Sequence, residues 1–372
     1  MKVPFMNLSD SYVEIYDEVM SKIQGLIKST QFIGGEEIEN FENEFAKYCN
    51  CNHAVACGNG TDAIIIALKA LGVGKGDVVI TVPNTFIATS EAITAVGAEV
   101  RFIDVDEHRL TMSPSLLEDY LKNSNEIDRI KALIPVHIFG QMCEMDKISE
   151  IAQRYNLKVI EDSAQAHGAK FKGKGPGEFG DIATYSFYPG KNLGAFGDAG
   201  ALVTNDEDLY LKTKKLTNHG RIKKYEHEIE GYNSRMDSIQ AAILRIKLQK
   251  LDKWTNERKM KVDNYLSKLQ NAGIGLPHLD ASYQDVYHLF VIRSKDRDKL
   301  MDELRKRGVS TGIHYPIPLH LQKAYEYLGY KKGDFPIVEK ASEEILSLPL
   351  WPELSYDQID YVTDSIFEII NN

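Results

Sequence analysis

Positive charge is in deficit here: 44 lysines and arginines stand against 54 aspartates and glutamates in 372 residues, a formal charge of −10. Nucleic-acid binding needs a basic face, so no nucleic-acid partner is expected, and any anionic ligand has to find a local basic pocket. Long apolar runs are missing as well. The chain opens Met1-Lys2-Val3-Pro4 and runs on through Asp10, Glu14 and Asp17, which makes neither a signal peptide nor a membrane span. A cytoplasmic protein without a membrane partner is expected. Cysteine is scarce: of the four, three sit close together at Cys49, Cys51 and Cys57, with no histidine pair or second cysteine pair at zinc-finger spacing. Reduced, structural thiols and no metal site are expected. Repeats, low-complexity tracts and Gly/Ser linkers are also absent, so the parts of the chain should be tightly joined.

What is present is an alternation. At 43% hydrophobic residues the chain can bury a substantial core. Apolar, β-branched stretches at 53–57, 78–82, 100–105, 130–138, 159–161, 182–187 and 201–204 alternate with helical patterns. That predicts an α/β fold with a mainly parallel sheet between helices. After Asn205 the pattern changes to charged helical stretches over 237–269, a strand at 286–293, a helix at 296–307 and a strand near 309–314. The expected division is a large domain over 1–250, with an N-terminal helical segment, and a smaller α+β domain over 251–372.

Three glycine motifs invite different readings. The segment from Gly175 to Gly180 matches a dinucleotide fingerprint in letters, but it precedes the strand at 182–187 and opens no helix, so it offers no phosphate seat. The segment from Gly168 to Gly175 resembles a Walker A loop, yet Gly175 stands where the magnesium-binding Ser/Thr belongs. Gly58-Asn59-Gly60-Thr61-Asp62 differs, because it follows the strand ending at Cys57 and opens a helix expected over 63–71. Its amides can cradle an anion; it can also be simply a capped turn, with Thr61 or Asp62 near the cap. No acidic residue ends the next strand, as a dinucleotide ribose would require.

Two further segments complete a constellation. The stretch 157–162 reads as a strand that delivers Asp162 to the carboxyl edge of the sheet, where open α/β folds bind ligands. Downstream, Lys191 follows Pro189 and Gly190 and precedes Gly194, Gly197 and Gly200, which suggests tight turns against something bulky, although taken by itself it reads equally as a surface lysine. Pyridoxal phosphate needs a phosphate seat, a carboxylate for its ring nitrogen and a lysine for its aldehyde, and the chain supplies all three.

The sequence here resembles the sugar-nucleotide aminotransferases of the DegT/StrS type, within the fold-type-I pyridoxal-phosphate enzymes. The resemblance runs through Phe32-Ile-Gly-Gly, Asn59-Gly-Thr-Asp-Ala, Gly76-Asp-Val-Val, Pro83-Asn-Thr-Phe-Ile-Ala, Asp104-Val-Asp, Glu161-Asp-Ser-Ala-Gln-Ala-His, Ser186-Phe-Tyr-Pro-Gly-Lys and Tyr232-Asn-Ser-Arg-Met-Asp. It implies an aspartate-aminotransferase-like large domain and pyridoxal 5′-phosphate held as a Schiff base on Lys191, the catalytic residue. Asp162 then pairs with the ring nitrogen, Gln165 bonds the ring hydroxyl and Phe86 stacks on the ring face. Gly60, Thr61 and Ser186 hold the phosphate, joined by Asn233 from a second subunit, which implies a homodimer with shared sites. Read without the family, Phe86 is a core residue and Asn233 a turn or capping residue.

The resemblance further implies L-glutamate as amino donor in a ping-pong reaction and a keto nucleotide sugar as acceptor. Phe187-Tyr-Pro-Gly-Lys-Asn-Leu-Gly194 looks like the branch acting on dTDP-3-keto-6-deoxyhexoses, with products dTDP-3-amino-3,6-dideoxyhexoses of the gluco or galacto series. On the substrate side, His219-Gly-Arg221-Ile-Lys223-Lys224 is either a pyrophosphate site or a solvated charge run. The loop carrying His314, Tyr315 and His320 is either sugar-facing or a rigid proline-bounded turn. Tyr185, Tyr188 and His167, beside the expected cofactor, are candidates for sugar contact. The alternatives are a 4-keto-sugar aminotransferase and a non-catalytic cofactor-binding regulator.

Overall fold

In the computed structural model, residues 1–221 and 223–371 are described. Seven strands make one sheet: β1 (His53–Cys57), β2 (Val78–Thr81), β3 (Glu99–Phe102), β4 (Ile130–Leu133), β5 (Lys158–Asp162), then, past the short β6 (Lys170–Phe171), β7 (Ile182–Ser186) and β8 (Gly200–Thr204). Each of the seven expected stretches overlaps one of them. Their order is β1-β8-β7-β5-β4-β2-β3. β8 runs antiparallel to β1 and β7, and the other pairings are parallel.

Strand alternation divides the core into two layers. Along β8, Ala201 and Val203 pack with Phe41 and Phe45, while Leu202 packs on the opposite face with Val55 and Ile182. The helix Gly60–Ala70 is buried nearly all round, through Ala63, Ile64, Ile66, Ala67, Leu68 and Ala70, as suits a helix inside the molecule rather than on its surface. No helix among the described residues is long and apolar enough to cross a membrane.

A second core forms from the helices Leu251–Leu269, Arg297–Lys306 and Tyr356–Ile370 against a ribbon of two antiparallel strands. These are β10 (Phe290–Arg293) and β11 (Ile345–Leu348), while β9 (Tyr283–Gln284) pairs with β6. We propose the domain boundary between the helices Ser238–Leu248 and Leu251–Leu269; the separate core supports it. The exchange is mutual: Val3 joins the second core, and Tyr325, Phe335 and Val338 return to the first.

Of the expectations after Asn205, one is met and two need correction. The helical stretches expected over 237–269 are the helices Ser238–Leu248 and Leu251–Leu269. The strand expected at 286–293 begins only at Phe290, because Tyr287 takes φ 47° and the Val286 and Leu289 amides bond the Gly140 and Phe139 carbonyls. The strand expected at 309–314 is absent. Val309 bridges Val3, and Gly312 exchanges both backbone bonds with Ser347, so this segment makes single bridges rather than a ladder. The true partner of β10, β11, follows the helix Pro336–Glu344 directly, with no turn signal to announce it.

One buried ion pair ties the loop after β3 to the segment before β10. Arg109 Nη2 donates to Asp285 Oδ1 at 2.7 Å, and its guanidinium lies 3.6 Å from the Tyr283 ring centroid. Removing one partner strands the other charge. Arg109→Met is therefore expected to cost about 3–5 kcal/mol, measured as a lower denaturation midpoint at unchanged slope.

Candidate active site

The carboxyl ends of the parallel strands frame a cleft of about 760 Å³. The residue ending β5, Asp162, the loop after β7 with Lys191, and the turn after β1 with Gly60 and Thr61 all line it. Phe86, Gln165, Ser186, Tyr188 and Tyr315 also reach its wall.

At one end the helix Gly60–Ala70 points its N-terminus inward. Its cap is Asn59, whose Oδ1 accepts from the Asp62 amide at 2.8 Å, with Thr61 and Asp62 in the first turn beside it. The helix also starts three residues earlier than expected. Among the described residues the Gly60 and Thr61 amides have no acceptor, so both donors are free for an anion. Glycine at 60 is required by space: a Cβ there would lie 2.6 Å from Ser186 Cβ. Gly60→Ala is expected to push the Ser186 wall away and weaken cofactor binding about tenfold or more, checked by titrating the cofactor-free protein.

Across the cleft, Asp162 is buried and held at both oxygens. Oδ2 accepts from Thr89 Oγ1 at 2.7 Å, Thr89 in turn shares a 2.8 Å bond with Thr85, and Oδ1 accepts from the Ala164 amide at 3.1 Å. Gln165 is fixed through Oε1, which accepts from the Phe139 amide at 2.7 Å, and its Nε2 donates to the Tyr315 hydroxyl at 3.3 Å. The Phe86 side chain is 56% exposed, which sets it on the cleft wall rather than in the core.

Lys191 sits between these groups. Burial pushes its ammonium down to about 8, against the opposing pull of the Asp162 carboxylate. Among the described residues the amine makes no hydrogen bond or ion pair, so it is available to a ligand. His314 is pushed down to about 4 by burial and then by the Lys191 charge, and His288 is lowered for the same two reasons. Asn192 anchors the loop: its Nδ2 donates to the Val286 carbonyl at 3.0 Å, and its Oδ1 lies 3.3 Å from His288 Nδ1. The bend that ended the expected strand at 286–289 thus seats the lysine loop. A free lysine, an anchored carboxylate and a helix N-terminus in one cleft fit the aldehyde, ring nitrogen and phosphate of pyridoxal phosphate.

The model of the DegT/DnrJ/EryC1/StrS aminotransferase family matches residues 13–367. The chain belongs to this family. A pleiotropic regulatory protein of Geobacillus stearothermophilus is 44% identical over 99% of this chain and 98% of its own. A dTDP-3-amino-3,4,6-trideoxy-α-D-glucose transaminase of Streptomyces venezuelae is 42% identical over 99% of this chain and 96% of its own. The crystal structure of DesV from S. venezuelae, in complex with a ketimine intermediate, superposes with a TM-score of 0.96 at 41% identity, covering 100% of this chain and 99% of that one.

Within this aminotransferase several sequence candidates lie off the cleft wall. Tyr185 is 1% exposed and points to the other side of the sheet, where its hydroxyl donates to the Pro176 carbonyl at 3.4 Å and its ring meets Phe45; it is a core residue, not a sugar contact. The cause is strand alternation: Tyr185 and Ser186 are neighbours and face opposite ways. His167 is fully buried against Tyr185 and Phe187, its basicity lowered to about 3 by burial and then by Lys191, so it underlies the site without lining it. His320 is buried and pairs with Glu339 at 3.0 Å, which accounts for it structurally. His314 bonds the Ser347 hydroxyl at 2.9 Å and stacks on Phe5. Arg221 is half-buried outside the cleft lining, and Ile222 beside it lies outside the described residues. Asn233 is exposed, accepts from Arg235 at 2.7 Å and is not part of the cleft lining.

The dinucleotide-like glycines of the aminotransferase have a different purpose. The Gly177 and Gly180 amides donate to Glu161 Oε1 at 2.8 and 2.9 Å, so the loop cradles the protein's own buried carboxylate. Glu161 Oε2 meets His137 Nε2 at 3.0 Å, and the Cys143 amide donates to His137 Nδ1 at 3.1 Å, which assigns that ring as the neutral Nε2–H tautomer. Thr89, Asn192 and His288 were not singled out from the sequence. Their partners lie 73, 94 and 96 residues away, and no local pattern announces such contacts.

Proposed function

We propose that this aminotransferase moves the amino group of L-glutamate to C3 of a dTDP-3-keto-6-deoxyhexose, giving a dTDP-3-amino-3,6-dideoxyhexose. The cofactor is pyridoxal phosphate, which supplies an electron sink for the carbanion when bound. The observation that carries the chemistry is the unpaired Lys191 amine facing the anchored Asp162 carboxylate. In this reading Lys191 holds the cofactor and afterwards moves the proton at the substrate carbon. Asp162 keeps the ring nitrogen protonated, Gly60, Thr61 and Ser186 hold the phosphate, Gln165 bonds the ring hydroxyl and Phe86 covers the ring face. Tyr188 and Tyr315, both on the cleft wall, are left to meet the sugar.

Attack at C3 is supported by relatives named for 3-amino, 3-oxo or 3-dehydro sugars. Those names divide between dTDP and UDP carriers, and the dTDP choice rests on the loop 187–194. The test is a single turnover of the amino-loaded enzyme with dTDP-3-keto-, dTDP-4-keto- and UDP-3-keto-sugars separately, following return of the lysine-bound cofactor absorbance. Return with the dTDP-3-keto sugar fastest is expected. Return with the 4-keto or UDP sugar fastest would overturn the position or the carrier, and silence with all three would leave a regulator.

We further propose a homodimer with shared sites. Asn233 is exposed and outside the lining of its own cleft, which supports a hold on the phosphate of a partner's site. Mixing inactive Lys191→Ala and Asn233→Ala proteins should then restore activity, because one site of the mixed dimer carries neither change; no restoration would sink the sharing.

A further inference from the structure

Lys247 lies in the helix Ser238–Leu248 among Ile243, Leu244 and Ile246 and is only 4% exposed. A buried ammonium without a carboxylate is costly, and at that position an apolar side chain would pack at no such cost. No ion pair of Lys247 exists among the described residues. Instead its Nζ donates to the Gly194 carbonyl, and it lies 4.8 Å from the Tyr12 ring and 5.6 Å from the Phe196 ring. Cation–π attraction to two ring faces replaces part of the lost hydration. The cost still shows in its basicity, drawn down to about 8 by burial alone.

What Lys247 holds is the loop that carries Lys191. That loop is a closed unit: a Cβ on Gly194 would lie 2.3 Å from the Pro189 carbonyl oxygen, the Lys191 amide donates to the Tyr188 carbonyl at 2.8 Å, and the Ala195 amide to that of Phe187 at 2.7 Å. The same helix grips it a second time, because Gln240 Oε1 accepts from the Phe196 amide at 2.9 Å. A closed turn held at Gly194 and Phe196 has little freedom left at Lys191.

We propose that Lys247 is a positioning residue for the reaction: its buried ammonium, boxed by Tyr12 and Phe196, pins the Gly194 carbonyl and so sets where the Lys191 amine stands. Tyr12 brings the helix Leu8–Val13 into the same device, its ring 4.7 Å from that of Phe196. The proposal rests on the assignment of Lys191 as the cofactor lysine, and its test separates the two.

The test is amide hydrogen exchange on the cofactor-free full chain, followed by cofactor dissociation from the loaded enzyme. In Lys247→Met, exchange over 189–200 should quicken about tenfold, as loss of a charged hydrogen bond implies, with protection elsewhere unchanged. Cofactor loss should quicken by a similar factor, and Lys247→Arg should restore both. Tyr12→Leu, near the chain's start and only half-buried, should show the same local effect at smaller size, which keeps the proposal testable if Lys247→Met fails to fold. Uniform loss of protection across the protein, or unchanged exchange over 189–200, would overturn it. If Lys191 were not the cofactor lysine, local exchange would still change while cofactor release would not.

Discussion

Lys191→Ala is expected to lower turnover about 10⁴-fold or more, because one side chain both carries the cofactor and moves the proton. The cleft wall loses an amine that makes no bond among the described residues, so the fold should survive with little change in thermal midpoint. Absorbance of the lysine-bound cofactor should vanish, while cofactor held by its phosphate seat can still co-purify. A companion measurement uses the depressed basicity. The neutral amine is the nucleophile, and burial brings the ammonium down to about 8. Capture of the cofactor by the empty protein should therefore quicken as pH rises and level off above about 8. Full activity in the alanine protein, or capture that slows with rising pH, would remove Lys191 from the centre of the chemistry.

The second large effect is expected at Asp162. Asp162→Asn keeps shape and an acceptor for the Ala164 amide, and the Thr89 hydroxyl can reverse its bond because its link to Thr85 accepts either direction. What disappears is the charge. Losing one partner of a buried, hydrogen-bonded ion pair costs about 3–5 kcal/mol, roughly 10²–10⁴ in rate when the pair is needed in the transition state. The half-reaction with glutamate, followed by stopped flow, should slow by that factor with the thermal midpoint nearly unchanged. A variant that reacts normally would mean the ring nitrogen needs no anion; one that unfolds would make Asp162 a structural residue first.

Much of this was legible along the chain. Apolar, β-branched stretches alternate with helical patterns along the chain, so each of the seven expected stretches overlaps a strand of the sheet. Asp162 could be placed because a parallel strand exposes its last residue at the carboxyl edge, and Lys191 because glycines crowd around it. The same reading failed where structure is made by distant partners. The stretch 286–289 is apolar enough for a strand, but its amides bond Gly140 and Phe139 instead. Tyr185 was placed in the site from its nearness to Lys191 in sequence, whereas strand alternation turns it into the core.

The division follows from range. Local chemistry determined the elements, the helix N-terminus at Gly60, the carboxylate ending β5 and the lysine turn, since each depends on residues within a few positions of one another. Only the tertiary structure decided that Thr89 steadies Asp162, that Val286 and His288 seat Asn192, that the dinucleotide-like glycines wrap Glu161, and that Lys247 holds the loop of Lys191. Those contacts join residues 16 to 96 positions apart. They are set by packing, which leaves no periodic trace in the sequence.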